Sequence, residues 1–530
     1  MDARISPDGM WGLAETAEQT SISMTTRLGH EINDLYGCRH SDAYWNAVIG
    51  LPVRQIVHAA SMHWYKNHVT PSLLRWQTAL CHKAEKLSTR IPTTTHALSG
   101  LLYSNRVSIL TNLAEWVDPS AVGESGIPPT VLFDRRSQQS RLNRPSLQLL
   151  QVKTLSRRTG LFRGQLATHE WLSHSVKTFG QCAPAINSPE IGTIFMPDWT
   201  IRNRVLQPQR NDQPLVKYCL RALAYLLPTA VLEGHRDVER TATRIMGKWP
   251  PRALIAPGIR ETSRQLTGMS AENGTKIHFI QHGGRYGETI ATPREYYERS
   301  VSDCFVSWGW EDTRVLALPS AKLDRIRKRY GKNYAGTRED NKHILWCAEQ
   351  YSLVGDSPPF ESPVTYRRRQ MEFVNRLPSD LRPLIHVRLR PPKAQMDEST
   401  GYEWLRTFNL STTDSSKHIV RDFRRAGLVL IDQPFTTTFL EVLALEKPVI
   451  VYSPEAKYYT RNTVSSAYRL LHEAGIVCET VEDVFLAMRQ HLLGCWWDHP
   501  GRREALQFAS HLLARTSRSK SSVRFAELIR

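Results

Sequence analysis

Short apolar runs punctuate the second half of the chain and alternate with loops and helical segments. Four of them, at 277–280, 343–347, 428–431 and 448–452, are mainly apolar, as expected of strands buried on both faces. Residues 439–445, between the last two runs, place apolar side chains on one side of a helix. A strand, a helix and a second strand in this order predict a β-α-β unit, and therefore an α/β fold.

Length and patterning predict two domains joined by a linker. With 530 residues and 41 % hydrophobic content, the chain is long enough for two large cores. Its charged, glycine-containing stretch before residue 343 is typical of an interdomain connection. We predict an N-terminal α/β domain over 1–320, a linker over 321–342 and a C-terminal domain over 343–530. Residues up to about 40 show no clear pattern, whereas the following stretch predicts extra N-terminal helices.

The run at 277–280 leads to His282, Gly283 and Gly284. A buried strand that ends in a reactive side chain and a bare turn is how α/β enzymes present chemistry at a sheet edge. His282 has the intrinsic pKa of a general base, and the glycines allow a backbone or a phosphate to approach closely. The alternative is a turn histidine followed by a tight connection. Because His282 replaces the first glycine of Gly-x-Gly-x-x-Gly, the spacing does not predict NAD or FAD binding.

The run at 428–431 ends in Asp432, and three threonines follow at the start of the predicted helix, Thr436 to Thr438. The first turn of a helix presents unpaired N–H groups and the positive end of the helix dipole, and threonine hydroxyls add donors. This arrangement predicts a site for a phosphate or a carboxylate. Asp432 either orients a hydroxyl of the ligand or only terminates its strand.

Helix capping is an alternative role for part of this segment. Thr438 and Glu441 match the Ser/Thr-x-x-Glu pattern, in which both side chains bond to the first turn of the helix. Thr436 and Thr437 are not needed for that pattern, so they are the better indicators of an anion site.

Two arginines end another apolar run. Residues 383–389 form a predicted strand that Pro391 and Pro392 stop, with Arg388 and Arg390 at its end. The planar, permanently charged guanidinium suits phosphate or carboxylate oxygens. Solvated surface arginine is the alternative, because most arginines are exposed.

Several chemical motifs are missing from the sequence. It contains no P-loop, no His-Glu-x-x-His and no Gly-x-Ser-x-Gly, which removes the signatures of P-loop hydrolysis, zincin proteolysis and α/β-hydrolases. No Asp-x-Asp pair offers carboxylates for a metal against a diphosphate, so we predict metal-independent chemistry without a cofactor. The eight cysteines lack Cys-x-x-Cys spacing, and neither a zinc site nor a disulfide framework is expected.

The chain is basic, with 69 Lys and Arg against 51 Asp and Glu and a net charge of +18. No zinc-finger, recognition-helix or RNP signature accompanies this charge, so no nucleic acid partner is expected. Peripheral contact with an anionic inner membrane would account for the excess of basic residues, as would solvated surface charge. The N-terminus lacks the apolar core of a signal peptide, and the most apolar segment, 220–232, is too short to span a bilayer. These features predict a cytoplasmic protein.

Six segments of the chain form a recognisable set of motifs. They are Trp11 to Thr16, residues 31–64, His282 to Gly287, Ser302 to Trp310, Thr437 to Leu445, and Lys447 with Pro448. Together they resemble a bacterial family of transferases of surface-carbohydrate biosynthesis. The segment around Asp432 is also similar to the teichoic-acid glycerophosphotransferases.

The resemblance implies a GT-B-like architecture, in which two Rossmann-like domains face each other across a cleft that binds a nucleotide-activated sugar. It implies His282 as the base that takes the proton of the acceptor hydroxyl, with Arg388 and the three threonines at the donor phosphate. The donor would then bind in the C-terminal domain. The remaining residues of the expected donor site are Gly283, Gly284, Tyr286, Arg390, Asp432 and, at the ribose, Glu441.

We therefore expect a glycosyltransferase that moves a sugar from a nucleotide-activated donor to a surface polysaccharide or glycoconjugate acceptor, such as a lipid-linked glycan. This chemistry requires a general base and groups that stabilise the departing phosphate. Two alternatives remain open. One is a glycerophosphotransferase that uses CDP-glycerol, and the other is a non-catalytic protein that binds nucleic acid or another polyanion.

Overall fold

The structure is a computed structural model that describes residues 7–69, 159–161, 195–246, 253–256, 261–331, 343–348, 363–389, 408–413, 418–454, 456–494 and 496–517. The described residues divide into two compact units. The first contains those up to Phe279 together with Pro293–Asp303. The second contains Ile280–Thr292 together with those from Cys304 onward, so His282 belongs to the second unit.

Helices form most of the described part of the first unit. They are Pro7–Tyr36 (α1), Asp42–Val69 (α2), Trp199–Leu206 (α3), Pro214–Leu226 (α4), His235–Met246 (α5), Glu261–Glu272 (α6) and Pro293–Val301 (α7). One apolar cluster, with Ile32, Trp45, Leu206 and Leu223 among its members, joins α1, α2, α3 and α4. The strands Thr159–Leu161 (β1), Ala253–Ala256 (β2) and Lys276–Phe279 (β3) form a parallel sheet in that order.

The long helix α1 corrects the interpretation of the first 40 residues as patternless. Two hydroxyl residues, Ser21 and Thr25, take buried positions in its apolar stripe beside Met24. The hydroxyl of Ser21 donates to the carbonyl of Ala17, and that of Thr25 donates to the carbonyl of Ser21, each over 2.7 Å. Because these hydroxyls bond to the helix backbone, they tolerate burial. In the sequence, they interrupt the apolar periodicity.

Parallel strands also organise the second unit. A short pair is formed by Phe305–Ser307 (β4) and Val315–Ala317 (β5), and Ile280 bridges to Val306 in parallel. The larger sheet runs in the spatial order β8-β7-β6-β9-β10-β11, and all its strands are parallel. Its strands are Ile344–Ala348 (β6), Ile385–Leu389 (β7), Ser411–Thr412 (β8), Leu428–Ile431 (β9), Val449–Tyr452 (β10) and Val477–Cys478 (β11).

The strand order of the larger sheet is that of doubly wound nucleotide-binding folds. When its strands are numbered along the chain, the order is 3-2-1-4-5-6. The order reverses between β6 and β9, where Trp346 pairs with Leu430. In such sheets, ligands bind beyond the carboxyl ends of the strands at this switch point, and Asp432 directly follows β9. The predicted α/β class with parallel sheets is confirmed, whereas the facing of two domains across a cleft stays a prediction.

Helices flank these strands along the chain of the second unit. Among all the described helices, none is long and apolar enough to cross a membrane. The helices of the second unit are Ala321–Tyr330 (α8), Pro363–Arg376 (α9), Val420–Arg425 (α10), Thr437–Ala444 (α11), Ala456–Tyr459 (α12), Asn462–Glu473 (α13), Val481–Leu492 (α14) and Pro500–Leu513 (α15).

The first half of the predicted linker is a packed helix. The hydroxyl of Ser320 caps α8 by accepting from the backbone N–H of Leu323, and Leu323 and Ile326 are buried. The charges that suggested a linker lie, up to Tyr330, on an amphipathic helix. Residues 332–342 lie outside the described part of the chain. The division at 320 and 343 itself stays a prediction.

The segment after α15 returns to the region between β4 and α8. The backbone N–H of Arg515 donates to the carbonyl of Trp308 over 2.7 Å, and that of Ser320 donates to the carbonyl of Arg515 over 2.9 Å. The backbone N–H of Ser517 donates to the carboxylate of Asp324 over 2.6 Å. These bonds explain why residues 304–331 belong to the same unit as the C-terminal helices.

Substitution Gly287→Ala tests the packing under the His282 segment. Gly287 has a φ of 70°, and a Cβ there would overlap the indole ring of Trp310. We expect a loss of about 2–5 kcal/mol in the free energy of unfolding, from the left-handed backbone and the overlap together. Denaturant unfolding followed by fluorescence measures it.

Gly494→Ala is the matched control. Gly494 has a φ of 80°, but a Cβ there meets no atom within 4 Å. Only the backbone cost applies, so the expected loss is about 1 kcal/mol. Equal losses for the two variants would contradict the packing described for Gly287.

Candidate active site

The segment that contains His282 is fixed at its start by Gln281. The backbone N–H of Gln281 donates to the carbonyl of Val306 over 2.8 Å, and its side-chain amide donates to the carbonyl of Gly283 over 2.8 Å. The side-chain oxygen accepts from the backbone of Trp308 (2.8 Å) and from the indole of Trp310 (3.0 Å). Gln281 is buried, so these bonds anchor the turn to β4.

The two glycines after His282 pack against the N-terminus of α11. The backbone N–H of Gly284 donates to the hydroxyl of Thr437 over 3.0 Å. A Cβ on Gly284 would lie 2.7 Å from the backbone nitrogen of Thr437, and one on Gly283 would lie 2.9 Å from its hydroxyl oxygen. Glycine is therefore required at 284 for backbone to approach backbone. The two segments that sequence reasoning singled out meet here.

Tyr286 holds the ring of His282. Its hydroxyl lies 3.2 Å from each imidazole nitrogen, and the two rings are 5.1 Å apart at an angle of 70°. Tyr286 is itself buried and stacks on Phe305, with ring centroids 5.7 Å apart. A buried, stacked phenol has few rotamers, so it fixes the orientation of the imidazole.

A buried carboxylate secures the far side of the turn. One oxygen of Glu288 accepts from the backbone N–H of Arg285 over 2.8 Å, and the other accepts from the hydroxyl of Tyr468 over 2.8 Å. Burial, followed by the nearby Glu288 carboxylate, raises the pKa of Tyr468 well above its ordinary value. Arg285 has a φ of 76°, a conformation that this bonding supports. Sequence reasoning missed Glu288, because nothing local marks it as buried.

The threonines divide their roles differently from the predicted capping pattern. Thr436 is the N-cap of α11, and its hydroxyl accepts from the backbone N–H of Phe439 over 3.2 Å. Thr437 bonds to Gly284, as described above. The alternative in which Thr438 and Glu441 cap the helix is therefore wrong. Glu441 instead forms an ion pair with Lys322 of α8, at 2.8 Å.

Solvent reaches this part of the second unit at two short stretches. Residues 282–285 are partly exposed, while Gln281 and Tyr286 on either side are buried. Residues 436–438 are also partly exposed, between buried Phe435 and Phe439. The turn that carries His282 and the first turn of α11 are therefore both partly exposed next to their mutual contact. The first N–H groups of a helix have no intrahelical acceptor.

Asp432 is a buried carboxylate that accepts hydrogen bonds at the carboxyl end of β9. Its Oδ2 atom accepts from the indole of Trp346 (3.1 Å), the hydroxyl of Tyr366 (2.8 Å) and the amide of Gln370 (3.0 Å). The residue is only 2 % exposed. With three protein donors on one oxygen, Asp432 matches the alternative in which it completes the fold at the end of β9.

Arg369 is the last of three consecutive arginines, and it is buried. Its guanidinium donates to the carbonyls of Tyr452 (2.7 Å) and Asp432 (3.0 Å), which ties the ends of β10 and β9 together. It also lies over the rings of Tyr366 and Tyr452, at 5.2 and 5.1 Å. A run of arginines carries no signal that one of them is internal, so only the fold reveals this role.

Arg388 does not stand open at the threonines. It lies in β7, is 6 % exposed and forms an ion pair with Asp422 of α10 at 2.5 Å. Arg390 lies outside the described residues. The described contacts therefore join the predicted residues from His282 to Tyr286 with Thr436 and Thr437, whereas Arg388 is committed to another side chain.

Comparison with known proteins identifies the family. A family model described as "LIC12162 family transferase" matches residues 11–526. The chain belongs to the LIC12162 family of transferases. The prediction that it is a transferase enzyme is thereby confirmed. Curated protein sequences give no significant match.

Two solved structures have a limited likeness to this LIC12162 family member. One is the co-structure of S. aureus MnaA with UDP, which has 13 % sequence identity to this chain and a TM-score of 0.37. The match covers 70 % of this chain and 95 % of that one. The other is a UDP-N-acetylglucosamine 2-epimerase, with 12 % identity and a TM-score of 0.35, covering 71 % and 95 %. The fold assignment rests on the strand order given above.

Gly284→Ala tests the contact between the turn and α11. Its Cβ would meet the rigid backbone of Thr436 and Thr437, so we expect a loss of about 2–3 kcal/mol in the free energy of unfolding. In Gly283→Ala, the Cβ would meet only the hydroxyl of Thr437, which can rotate, and about 1 kcal/mol or less is expected. Denaturant titration compares the two variants, and the opposite order would refute this geometry.

Asp432→Ala tests whether this carboxylate is structural. The substitution leaves three buried donors without their acceptor, and we expect a loss of about 3–5 kcal/mol in stability. Asp498→Ala removes an exposed ion pair with Arg503 and should cost less than about 1 kcal/mol. Thermal denaturation distinguishes them. A variant Asp432→Ala as stable as this control would show that Asp432 is kept for another purpose.

Proposed function

We propose that this transferase is a glycosyltransferase that moves a sugar from a nucleotide-activated donor to a surface polysaccharide or glycoconjugate acceptor. One observation carries the proposal: the hydrogen bond between Gly284 and Thr437 sets a partly exposed histidine turn against a partly exposed helix N-terminus. Group transfer from a nucleotide donor needs a base and an anion site side by side. Membership of a transferase family supports the class of reaction.

The N-terminus of α11 is the proposed site of the donor diphosphate. Its first backbone N–H groups and the positive end of its dipole favour an anion, and the partly exposed hydroxyls of Thr437 and Thr438 add donors. Thr436 already spends its hydroxyl on the cap, so it supports the site by ordering the first turn. Arg388 is paired with Asp422, so its positive charge would act on the donor phosphate only from a distance.

His282 is the proposed general base. It takes the proton of the acceptor hydroxyl as the acceptor oxygen bonds to the anomeric carbon, the bond from that carbon to phosphate breaks, and the nucleotide diphosphate leaves with the negative charge. Tyr286 suits this role of the ring. Its hydroxyl oxygen accepts from the protonated ring nitrogen, which leaves the lone pair of the other nitrogen to take the proton of the acceptor.

We propose that this transfer needs no divalent metal at the diphosphate. Three carboxylates of this region are buried and already have protein partners. Glu288 and Asp432 accept hydrogen bonds from protein donors, and Glu441 forms an ion pair with Lys322. The helix dipole and N–H groups then take the role that a cation has elsewhere.

We also place this activity in the cytoplasm, with peripheral contact at an anionic inner membrane. The net charge of +18 and the exposed side chains of Arg368, Arg421, Arg424 and Arg425 support electrostatic attraction to such a surface, where lipid-linked acceptors lie.

The test combines a nucleotide screen with a transfer assay. Calorimetry with UDP, GDP, CDP and CMP identifies the donor class, and labelled donors then report transfer. His282→Gln should lower the transfer rate by about 10²–10⁴-fold and leave nucleotide affinity unchanged, because the base acts only in the chemical step. His472→Gln, on an exposed histidine paired with Glu479, is the matched control and should keep full activity.

Other outcomes would decide against parts of the proposal. Incorporation of glycerol phosphate from CDP-glycerol would assign the protein to the glycerophosphotransferases. Salt-dependent binding of a polyanion that survives His282→Gln, without transfer from any donor, would sink the enzyme proposal. A rate that rises from zero only on addition of Mg²⁺ or Mn²⁺ would refute metal independence.

A further inference from the structure

Three metal-ligating side chains of the first unit converge where helices end. Cys38 and His40 follow α1, and His235 begins α5. The sulfur of Cys38 and one ring nitrogen from each histidine lie within 4.8 Å of one another. None of them belongs to the site of the second unit described above.

His235 is the least expected member of this group. It is 1 % exposed, and its Nε2 atom is buried without a hydrogen-bond partner among the described residues. Its ring packs on Trp45, with centroids 4.9 Å apart, which holds it in place. A buried polar atom that lacks a partner calls for an unseen one.

His40 is held between two carboxylates. Its Nε2 atom lies 2.8 Å from Glu239, and its Nδ1 atom lies 3.0 Å from Glu272. Glu272 is fixed in turn by the backbone N–H of Ser41, at 2.8 Å. The ring also stacks on Tyr44 at a centroid distance of 3.6 Å. A histidine whose second nitrogen bonds to an anchored carboxylate has the usual arrangement of a metal ligand.

Glu239 lies beside this group, although it is not one of the three side chains whose ligand atoms lie within 4.8 Å of one another. It stands four residues after His235 on α5, so both side chains lie on one face of that helix. Its carboxylate already contacts the nitrogen of His40 that faces away from Glu272. Arg236, the nearby cation, is engaged with the carbonyl and the ring of Tyr36.

We propose that Cys38, His40, His235 and Glu239 bind a zinc ion, with Glu272 as the carboxylate that orients His40. One sulfur, two nitrogens and one oxygen are ligands that zinc accepts in a tetrahedron, and a thiolate and a carboxylate together balance its charge. Bonds of usual length place ligand atoms about 3.4–3.8 Å apart, so the sulfur of Cys38 and the two histidine nitrogens would move inward by about 1 Å. The carboxylate of Glu239, now hydrogen-bonded to Nε2 of His40 over 2.8 Å, would turn away from that nitrogen to reach the ion. Four protein ligands leave no open position, which makes the site structural.

Such an ion would join the end of α1 to the start of α5 and, through Glu272, to the end of α6. This inference departs from the expectation that the chain has no metal site. It also goes beyond the proposed transfer reaction, because it concerns a different set of residues and a structural role.

Metal analysis of the full chain, purified without a polyhistidine tag, is the direct test. We expect close to one zinc ion per chain, removal of the ion by a strong chelator with a lowered Tm, and recovery of both on adding Zn²⁺. Reloading with Co²⁺ should give a tetrahedral visible spectrum with a thiolate-to-cobalt charge-transfer band, which Cys38→Ser removes. Cys304→Ser, on a thiol of the second unit, should keep that band.

Substitution of the buried histidine separates a metal site from an ion-pair cluster. His235→Ala should weaken zinc binding at least tenfold by calorimetry, because it removes one ligand, whereas His30→Ala, on an exposed histidine of α1, should leave affinity unchanged. A folded wild-type chain that neither contains nor takes up zinc would overturn the proposal, as would unchanged affinity in His235→Ala. If His235→Ala fails to fold, the wild-type titration and the cobalt spectra decide.

Discussion

The close approach of two backbones, at Gly284 and at the first residue of α11, is the constraint on which the rest of the second unit's site depends. The segments are 153 residues apart, and they touch because position 284 has no Cβ. Gln281 on one side and Glu288 on the other hold the turn to neighbouring elements, so its position does not depend on a ligand. The proposed base and the proposed anion site are thus fixed before binding and would lose little entropy when a substrate arrives.

The buried charged side chains described around this contact are bonded to protein groups other than the N-terminus of α11. Asp432 and Glu288 are carboxylates, yet each is surrounded by protein donors. Arg369 places its charge beneath the strand ends, bonded to carbonyls. Charges that are paired or hydrogen-bonded in the protein interior hold their neighbours in place, and they produce little net electric field at a distance. The dipole of α11 is a feature of this region that would attract an anion to the partly exposed turn.

The sequence predicted those parts of the fold whose side chains follow a simple period. The runs at 277–280 and 428–431 become strands because continuous apolar residues suit a sheet buried on both faces. Helix α1 escaped prediction because Ser21 and Thr25 satisfy their hydroxyls on the backbone. Thr436 is the N-cap of α11 because its backbone is extended, with a φ of −121° and a ψ of 154°. The sequence alone does not show which of the three adjacent threonines takes this position.

Side-chain partners were beyond reach wherever they come from distant elements. The ion pair of Arg388 with Asp422 joins a strand to a helix 34 residues later. The candidate metal ligands are separated further, since Cys38 and His40 lie almost 200 residues before His235 and meet it only in the folded first unit. Spacing rules detect ligands that one short segment supplies, and here no segment supplies more than two. The same limit explains why the sequence draws attention to His282 and not to His235. The strand before His282 and the glycines after it mark that residue, whereas nothing near His235 in the sequence indicates that it is buried beside Cys38 and His40.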